Sequence, residues 1–290
     1  MNIENLFSKA FSRFKERFLS YLIVNALSWG LGIILVLAGL LMAGVVALVW
    51  FVAKAVIVAA VLGTIAAVVF IVGLIYISAW IQLATVDVLI SSKKLPPFDV
   101  YKKVKPLIGG YIYFMVVLGL FMLGLLPFTL VSLFIIGILW SLWSIFSVFV
   151  YLEKRKKGLE NLWASREMVN QKFWPILGVI LLVIVLMTLV SIVLVSAKTG
   201  FAISLVSQLV LTPFIMSLYY ELYLTLKTPA KVSKAPVWMA LSVIGYVITV
   251  LVLVVSVQAL GKLGSDFMKK NNPDQKIYKE LRYPSPTISG

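Results

Sequence analysis

Cysteine and histidine are both missing from the 290 residues. Their absence removes disulfides, thiolate nucleophiles, Cys/His zinc sites and imidazole acid–base chemistry together. Charge is scarce as well. Only 13% of residues are Asp, Glu, Lys or Arg, about half the share in a soluble domain. The charge present is mostly of one sign, 26 basic residues against 11 acidic, for a net +15. Gly-rich phosphate loops, nucleotide fingerprints and metal-ligand clusters are lacking, so no cofactor or metal is expected. A basic chain raises nucleic acid as a partner. Here the cations sit in short intervals between apolar runs, without a continuous basic face carrying stacking aromatics, and nucleic acid is not expected.

What is abundant is apolar surface: 62% of the residues are hydrophobic. Several runs exceed the ~20 residues that cross a bilayer as helix. A transmembrane barrel would show alternating segments of ~10 residues, whereas these runs are continuously apolar. The sequence predicts an all-α, polytopic transmembrane bundle of about seven spans. Membrane lipids, with anionic headgroups on the cytoplasmic side, are its expected partners, and a membrane-protein partner is a further possibility.

In chain order, Ile3, Phe7, Phe11, Phe14 and Phe18 recur at spacings of three and four, with Lys9, Arg13 and Lys15 between them. This predicts a basic amphipathic helix in the headgroup plane, the alternative being a helix packed on its own bundle. The apolar run that follows is too long for the core of a cleavable signal peptide. From Leu19 to Ile90 the only formal charges are Lys54 and Asp87. Two spans, 19–51 and 56–90, fit with tilt or protrusion. Three shorter ones also fit, but the basic flanks on both sides favour two. A lysine-rich connector with Pro96-Pro97 leads to Pro106, which opens a span over 107–126, and Pro127 is expected in the first turn of the next, 128–151. The polar interval 151–174 precedes spans at 175–196 and 201–226. A third connector precedes a last span at 235–260. The chain is read as one transmembrane domain over 1–260 and a polar, loosely ordered tail over 261–290.

A unit of surface helix, span and span recurs at 1–90, 97–157 and 159–227. Lys105-Pro106-Leu107-Ile108-Gly109 and Trp174-Pro175-Ile176-Leu177-Gly178 both open a hairpin after a basic segment. The segments 1–18, 91–106, 151–174 and 227–236 hold 18 basic residues, and the intervening turns hold two, Lys54 and Lys198. This places the N-terminus and the connectors in the cytoplasm of a multi-pass cell-membrane protein. Seven spans put the tail outside, while its six lysines and arginines favour the inside, so both sides stay open at this point.

Few residues carry chemistry. Asp87 and Glu221 lie near the inner ends of spans, where an ionisable group is a candidate ion or proton site. In the plainer reading both lie near the cytoplasmic interface, a turn or two from Lys93 and Lys227, where they reach water or an interhelical partner. Lys154, Arg155, Lys156 and Lys157 form the densest basic run, which sets topology and offers a grip on anionic headgroups. Trp163 and Trp174 are expected to anchor at the bilayer interface. Ser141, Ser144 and Ser147 recur every three residues without a general base, which marks a packing stripe and not a nucleophile.

The segments Lys102–Gly110 (KKVKPLIGG) and Asn170–Gly178 (NQKFWPILG), with their serial hydrophobic pairs, resemble the YciC-like membrane proteins and the membrane domain attached to some glycerophosphodiester phosphodiesterases. The resemblance covers most of 1–227 and implies a helical membrane module. The soluble phosphodiesterase domain of that family uses histidines and metal-binding acids. A chain without histidine would be a module lacking that activity, and no catalytic residue carries over. The expected function is therefore non-catalytic: organising membrane, interacting with lipid or assisting a partner. The alternative is a small-solute or lipid transporter with a cavity between the hairpins.

Overall fold

The computed structural model describes residues 3–52, 54–91, 95–132, 134–196, 207–226 and 234–270, with the side chains of 193–196, 207–208 and 266–270 outside that description. Among the described residues all regular structure is helical. Six helices are long and apolar enough to cross a membrane: Ile3–Phe51, Val56–Ile90, Pro97–Val131, Ile135–Lys154, Phe173–Ile192 and Pro236–Ser265. Leu209–Leu224 is a shorter apolar helix. The first half of the expected span 201–226 lies outside the described residues.

Helix α1, Ile3–Phe51, runs 49 residues without a break, about 73 Å at 1.5 Å per residue. This corrects the expectation of a separate surface helix before the first span. No proline occurs in this stretch and its first glycine is Gly30, so nothing interrupts the hydrogen-bond ladder at Phe18. Part of its aromatic stripe packs on the protein itself, while Phe11 stays exposed. Phe7 and Phe14, seven residues apart on one face, meet Phe214 at ring-centroid distances of 6.3 and 6.0 Å. Helix α2, Val56–Ile90, returns alongside α1 as a single helix. Lys54 turns the corner between them in the left-handed region, φ 48°.

Pro96 and Pro97 stop the chain before α3, Pro97–Val104, a short amphipathic helix. A 3₁₀ turn over Lys105–Leu107 leads into α4, Ile108–Val131. Pro127 lies inside α4 instead of starting the next helix, a correction to the expected boundary. The carbonyl it frees is that of Leu123, four residues back, and membrane helices tolerate such a position because their surroundings re-satisfy the freed group. The turn comes later, where Phe134 takes φ 69°.

The return helix has two pieces, α5 over Ile135–Ser144 and α6 over Ser147–Lys154. The serine stripe marks the break between them. Ser141, Ser144 and Ser147 each donate to a carbonyl three or four residues back, a pattern that bends helices. The backbone N–H of Phe146 is freed at the bend, and the buried hydroxyl of Ser165 accepts it at 3.1 Å. Ser165 belongs to α7, Glu160–Gln171. After α7 come α8, Phe173–Ser196, a π-helical turn over Ser207–Leu211, α9, Thr212–Leu224, and α10, Pro236–Lys270. Residues 261–270, expected in a loose tail, continue α10. Residues 271–290 lie outside the description.

Contacts divide the chain into two compact units. The first comprises residues 1–120 and 135–235. It holds two apolar cores. One gathers Leu6, Ala10, Phe146, Met168, Ile176 and Leu218. The other gathers Tyr21, Val24, Leu83, Val104, Ile108 and Phe114. The second unit comprises residues 121–134 and 236–290. In it Gly124 and Gly245 face each other so closely that a Cβ on Gly245 would overlap the Gly124 carbonyl. The Ser242 hydroxyl donates to the Phe121 carbonyl at 3.0 Å. Small residues at the crossing let the backbones approach, as membrane helix contacts require.

Candidate functional site: a layer of paired charges in the first unit

In the first unit the ionisable side chains of α1, α2, α3, α6 and α9 assemble into two clusters. The first is built on Asp87, in the last turn of α2, where it is buried. Lys103 of α3 donates to both its carboxylate oxygens, at 2.7 and 2.8 Å. Ser91 donates to Oδ2 at 3.1 Å and accepts from Lys103 at 2.8 Å. An ammonium and a hydroxyl thus satisfy a carboxylate that would otherwise cost several kcal/mol to bury. Lys93, its neighbour in sequence, lies outside the described residues.

A polar knot above the same helices fixes α3. The Tyr101 hydroxyl donates to the Val24 carbonyl at 3.1 Å and lies 2.7 Å from the Ser28 hydroxyl, which itself donates to Val24 at 2.7 Å. Trp80 Nε1 donates to the Tyr101 carbonyl at 3.0 Å. Lys103 sits two residues on, and this anchoring sets the position from which it reaches Asp87.

The second cluster is built on Glu221 of α9, also buried. Arg13 of α1 donates from Nε to Oε1 at 2.6 Å, and its guanidinium carbon lies 4.7 Å from the centre of the Tyr220 ring. Tyr220 and Tyr223 stack at 6.0 Å and aim their hydroxyls at one acceptor, Glu153 of α6. They donate at 3.2 and 2.7 Å. Arg13, Tyr220, Tyr223, Glu153 and Glu221 are therefore one connected group spanning α1, α6 and α9. Arginine suits this position because one planar cation serves a carboxylate and an aromatic face together.

The basic run Lys154–Lys157 begins one residue after Glu153. Arg155 caps α6 in the left-handed region at φ 50°, and Gly158 takes the same φ. Asn161 Nδ2 donates to the carbonyls of Lys156 and Gly158 at 2.9 and 3.3 Å, which pins the loop. Lys154, Arg155 and Lys157 are exposed, and Lys156 is half-buried. The two tryptophans differ. Trp174 is 77% exposed, whereas Trp163 is 3% exposed and packs edge-on against Trp140 at 5.7 Å. Trp163 fills the interior of this unit, because α7 lies against α5 and turns that face inward.

Among the cavities that flank these elements, three differ in lining. A cavity of 680 Å³ between α1 and α2 is walled by apolar and small side chains, Gly39, Ala43 and Phe70 among them. A second, of 750 Å³ between α8 and α9, is lined by Val183, Met187, Thr188, Ser191 and Tyr219. The polar one, 460 Å³, has Lys9, Ser12, Arg13, Glu16, Arg17 and Glu221 on its walls. Asp87 and Glu221 are thus held by different cations, Lys103 and Arg13. Among the described residues, no three acidic side chains gather as a metal site would require.

Arg13, Lys103 and Glu153 were not singled out in the sequence. Lys103 is one of five lysines in its connector, and Arg13 one of four cations in the N-terminal segment. Only the packing of distant elements tells which of them finds an acid. No protein-family model matches the chain, and neither a curated protein nor a solved structure matches it.

Proposed function

We propose that this protein is a non-catalytic, multi-pass component of the cytoplasmic membrane that interacts with lipid and organises membrane or assists a partner there. Its N-terminus and connectors face the cytoplasm in this reading, because the connectors carry nearly all the basic residues preceding the tail. The reading keeps the expected span at 201–226, of which α9 is a described part, which makes seven. It groups α3 with α4–α6, and α7 with α8–α9, as copies of one hairpin unit, with the long α1–α2 pair as the first copy. The likeness of residues 102–110 and 170–178 to YciC-like membrane modules belongs to the same proposal.

One observation carries it. Asp87 and Glu221, the two acids near the ends of spans, are each occupied by a cation from another helix, Lys103 of α3 and Arg13 of α1, at 2.6–2.7 Å. Acids spent on tying helices to one another support a structural role over a solute path. The test is mild-detergent extraction of the full chain, followed by identification of co-purifying lipids and proteins. Reproducible, near-stoichiometric recovery of a lipid class or a membrane-protein partner is expected. Coupled solute uptake into proteoliposomes, abolished by Asp87→Asn or Glu221→Gln, would replace this reading with transport.

A further inference from the structure

We infer that the polar groove between the N-terminal turns of α1 and the end of α9 is a binding site for the headgroup of an anionic, glycerol-type phospholipid. The inference rests on the membrane reading above and gives that reading a lipid class and a place.

Lys9, Arg13 and Arg17 follow one another at intervals of four, so they stack along one face of α1. That face forms a wall of the 460 Å³ cavity, and Glu221 stands opposite. A neighbouring cavity of 300 Å³ shares Lys9 and Glu221 and adds Lys172, from the start of the α8 segment, with Leu6 and Leu224. Cavities of this size hold small ligands. Arg13 is committed to Glu221. Lys9 and Lys172 are both exposed, and among the described residues neither forms an ion pair. Two ammonium groups that line one cavity with Glu221 are therefore available to a phosphate, with the Ser12 hydroxyl of the adjoining cavity as a further donor.

The surroundings favour a lipid over a soluble anion. Leu6 and Leu224 line the second cavity with Lys9 and Lys172, and Leu224 is 49% exposed. Apolar side chains of this kind suit the glycerol backbone and upper acyl chain of a lipid whose phosphate lies in the groove. Glu16, exposed at the wall, repels a second anionic group and accepts a hydrogen bond from a hydroxyl. One phosphate carrying a hydroxylated headgroup meets both requirements, which points to phosphatidylglycerol. This site is separate from the Lys154–Lys157 run, whose cations line neither cavity.

The probe is phosphatidylglycerol as a minor component of phosphatidylcholine nanodiscs that hold the full chain. Bound lipid is read by native mass spectrometry, and lysine exposure by acetylation footprinting. The unmodified protein should enrich phosphatidylglycerol, and that lipid should protect Lys9 and Lys172 but not Lys102. The exposed pair of changes Lys9→Gln/Lys172→Gln should weaken retention about twenty-five-fold, roughly five-fold for each surface cation, with the melting temperature unchanged. The control Lys102→Gln/Lys105→Gln, two exposed cations that line neither cavity, should keep retention within about two-fold of the unmodified protein. Equal retention by both pairs, or no protection of Lys9 and Lys172, overturns the inference. Inorganic phosphate that displaces the lipid with the same dependence on Lys9 and Lys172 reassigns the groove to a soluble anion and overturns it too. A chain that does not enter the nanodisc refutes the membrane reading itself. One that enters and binds without preference refutes only the site.

Discussion

Lys103 of α3 grips both oxygens of Asp87 at the end of α2, so a connector of the first unit is fastened to a span by a forked ammonium–carboxylate contact. Breaking a fully buried pair from one side costs about 3–5 kcal/mol. Here the Lys103 side chain is 45% exposed, and solvent reduces the effect. Lys103→Met should cost about 2 kcal/mol, measured as thermal or denaturant unfolding in detergent. Adding Asp87→Asn should restore part of that loss, because it removes the stranded charge. A double variant no better than the sum of its parts would show that the pair is not coupled.

Arg13→Lys should not be neutral. Lysine keeps the charge but loses the planar face over Tyr220 and the fixed direction of Nε toward Glu221. A loss of about 1 kcal/mol is expected. In a Tyr220→Leu background, which removes the ring, the same substitution should lose less, and a thermodynamic cycle across the four proteins would measure the difference.

Gly110 has no side chain because Tyr151 needs the space. A Cβ there would lie 2.6 Å from the tyrosine hydroxyl, which donates to the Leu107 carbonyl at 2.6 Å. Gly110→Ala should therefore destabilise by about 1–3 kcal/mol through overpacking. Gly110→Ala/Tyr151→Phe should recover some of it, since the clashing oxygen is gone. Alanine at 110 raising stability on its own would contradict this packing.

The two tryptophans should separate cleanly. Trp163→Ala should cost about 3–5 kcal/mol as a buried large-to-small change. Trp174→Ala should stay within about 0.5 kcal/mol in detergent. Equal losses at both positions would mean that Trp163 is not interior.

Topology is testable because the chain has no cysteine of its own, so one introduced thiol reports one position. Ser8→Cys should react with an impermeant reagent only after permeabilisation, and Val52→Cys should react in intact cells. The reverse pattern would invert the proposed orientation.

The helical membrane class was legible because runs such as 19–51 and 175–196 contain no ordinary means of being soluble. The entry to α4 was legible because Pro96, Pro97 and Pro106 leave little choice of backbone. Pro127 was misleading for a related reason. Membrane helices tolerate an interior proline, and here the chain turns only later, at Phe134. The continuity of α1 was missed because a change from amphipathic to uniformly apolar sequence looks like a boundary, although the backbone meets no obstacle there. The acids at 87 and 221 stood out, but their partners did not. One lies 16 residues ahead and the other 208 residues behind, and hydrophobic periodicity carries no information about either pairing.

The Arg13–Glu221 contact orders events in time. At ~5–20 residues per second of synthesis, 208 residues separate the emergence of the two partners by roughly 10–40 s. For that interval α1 exists without the helix that receives its guanidinium and its phenylalanines. Its seating on α9 is then a late step of biogenesis. A nascent chain halted short of residue 221 would present this basic, aromatic face to whatever lies at the membrane surface.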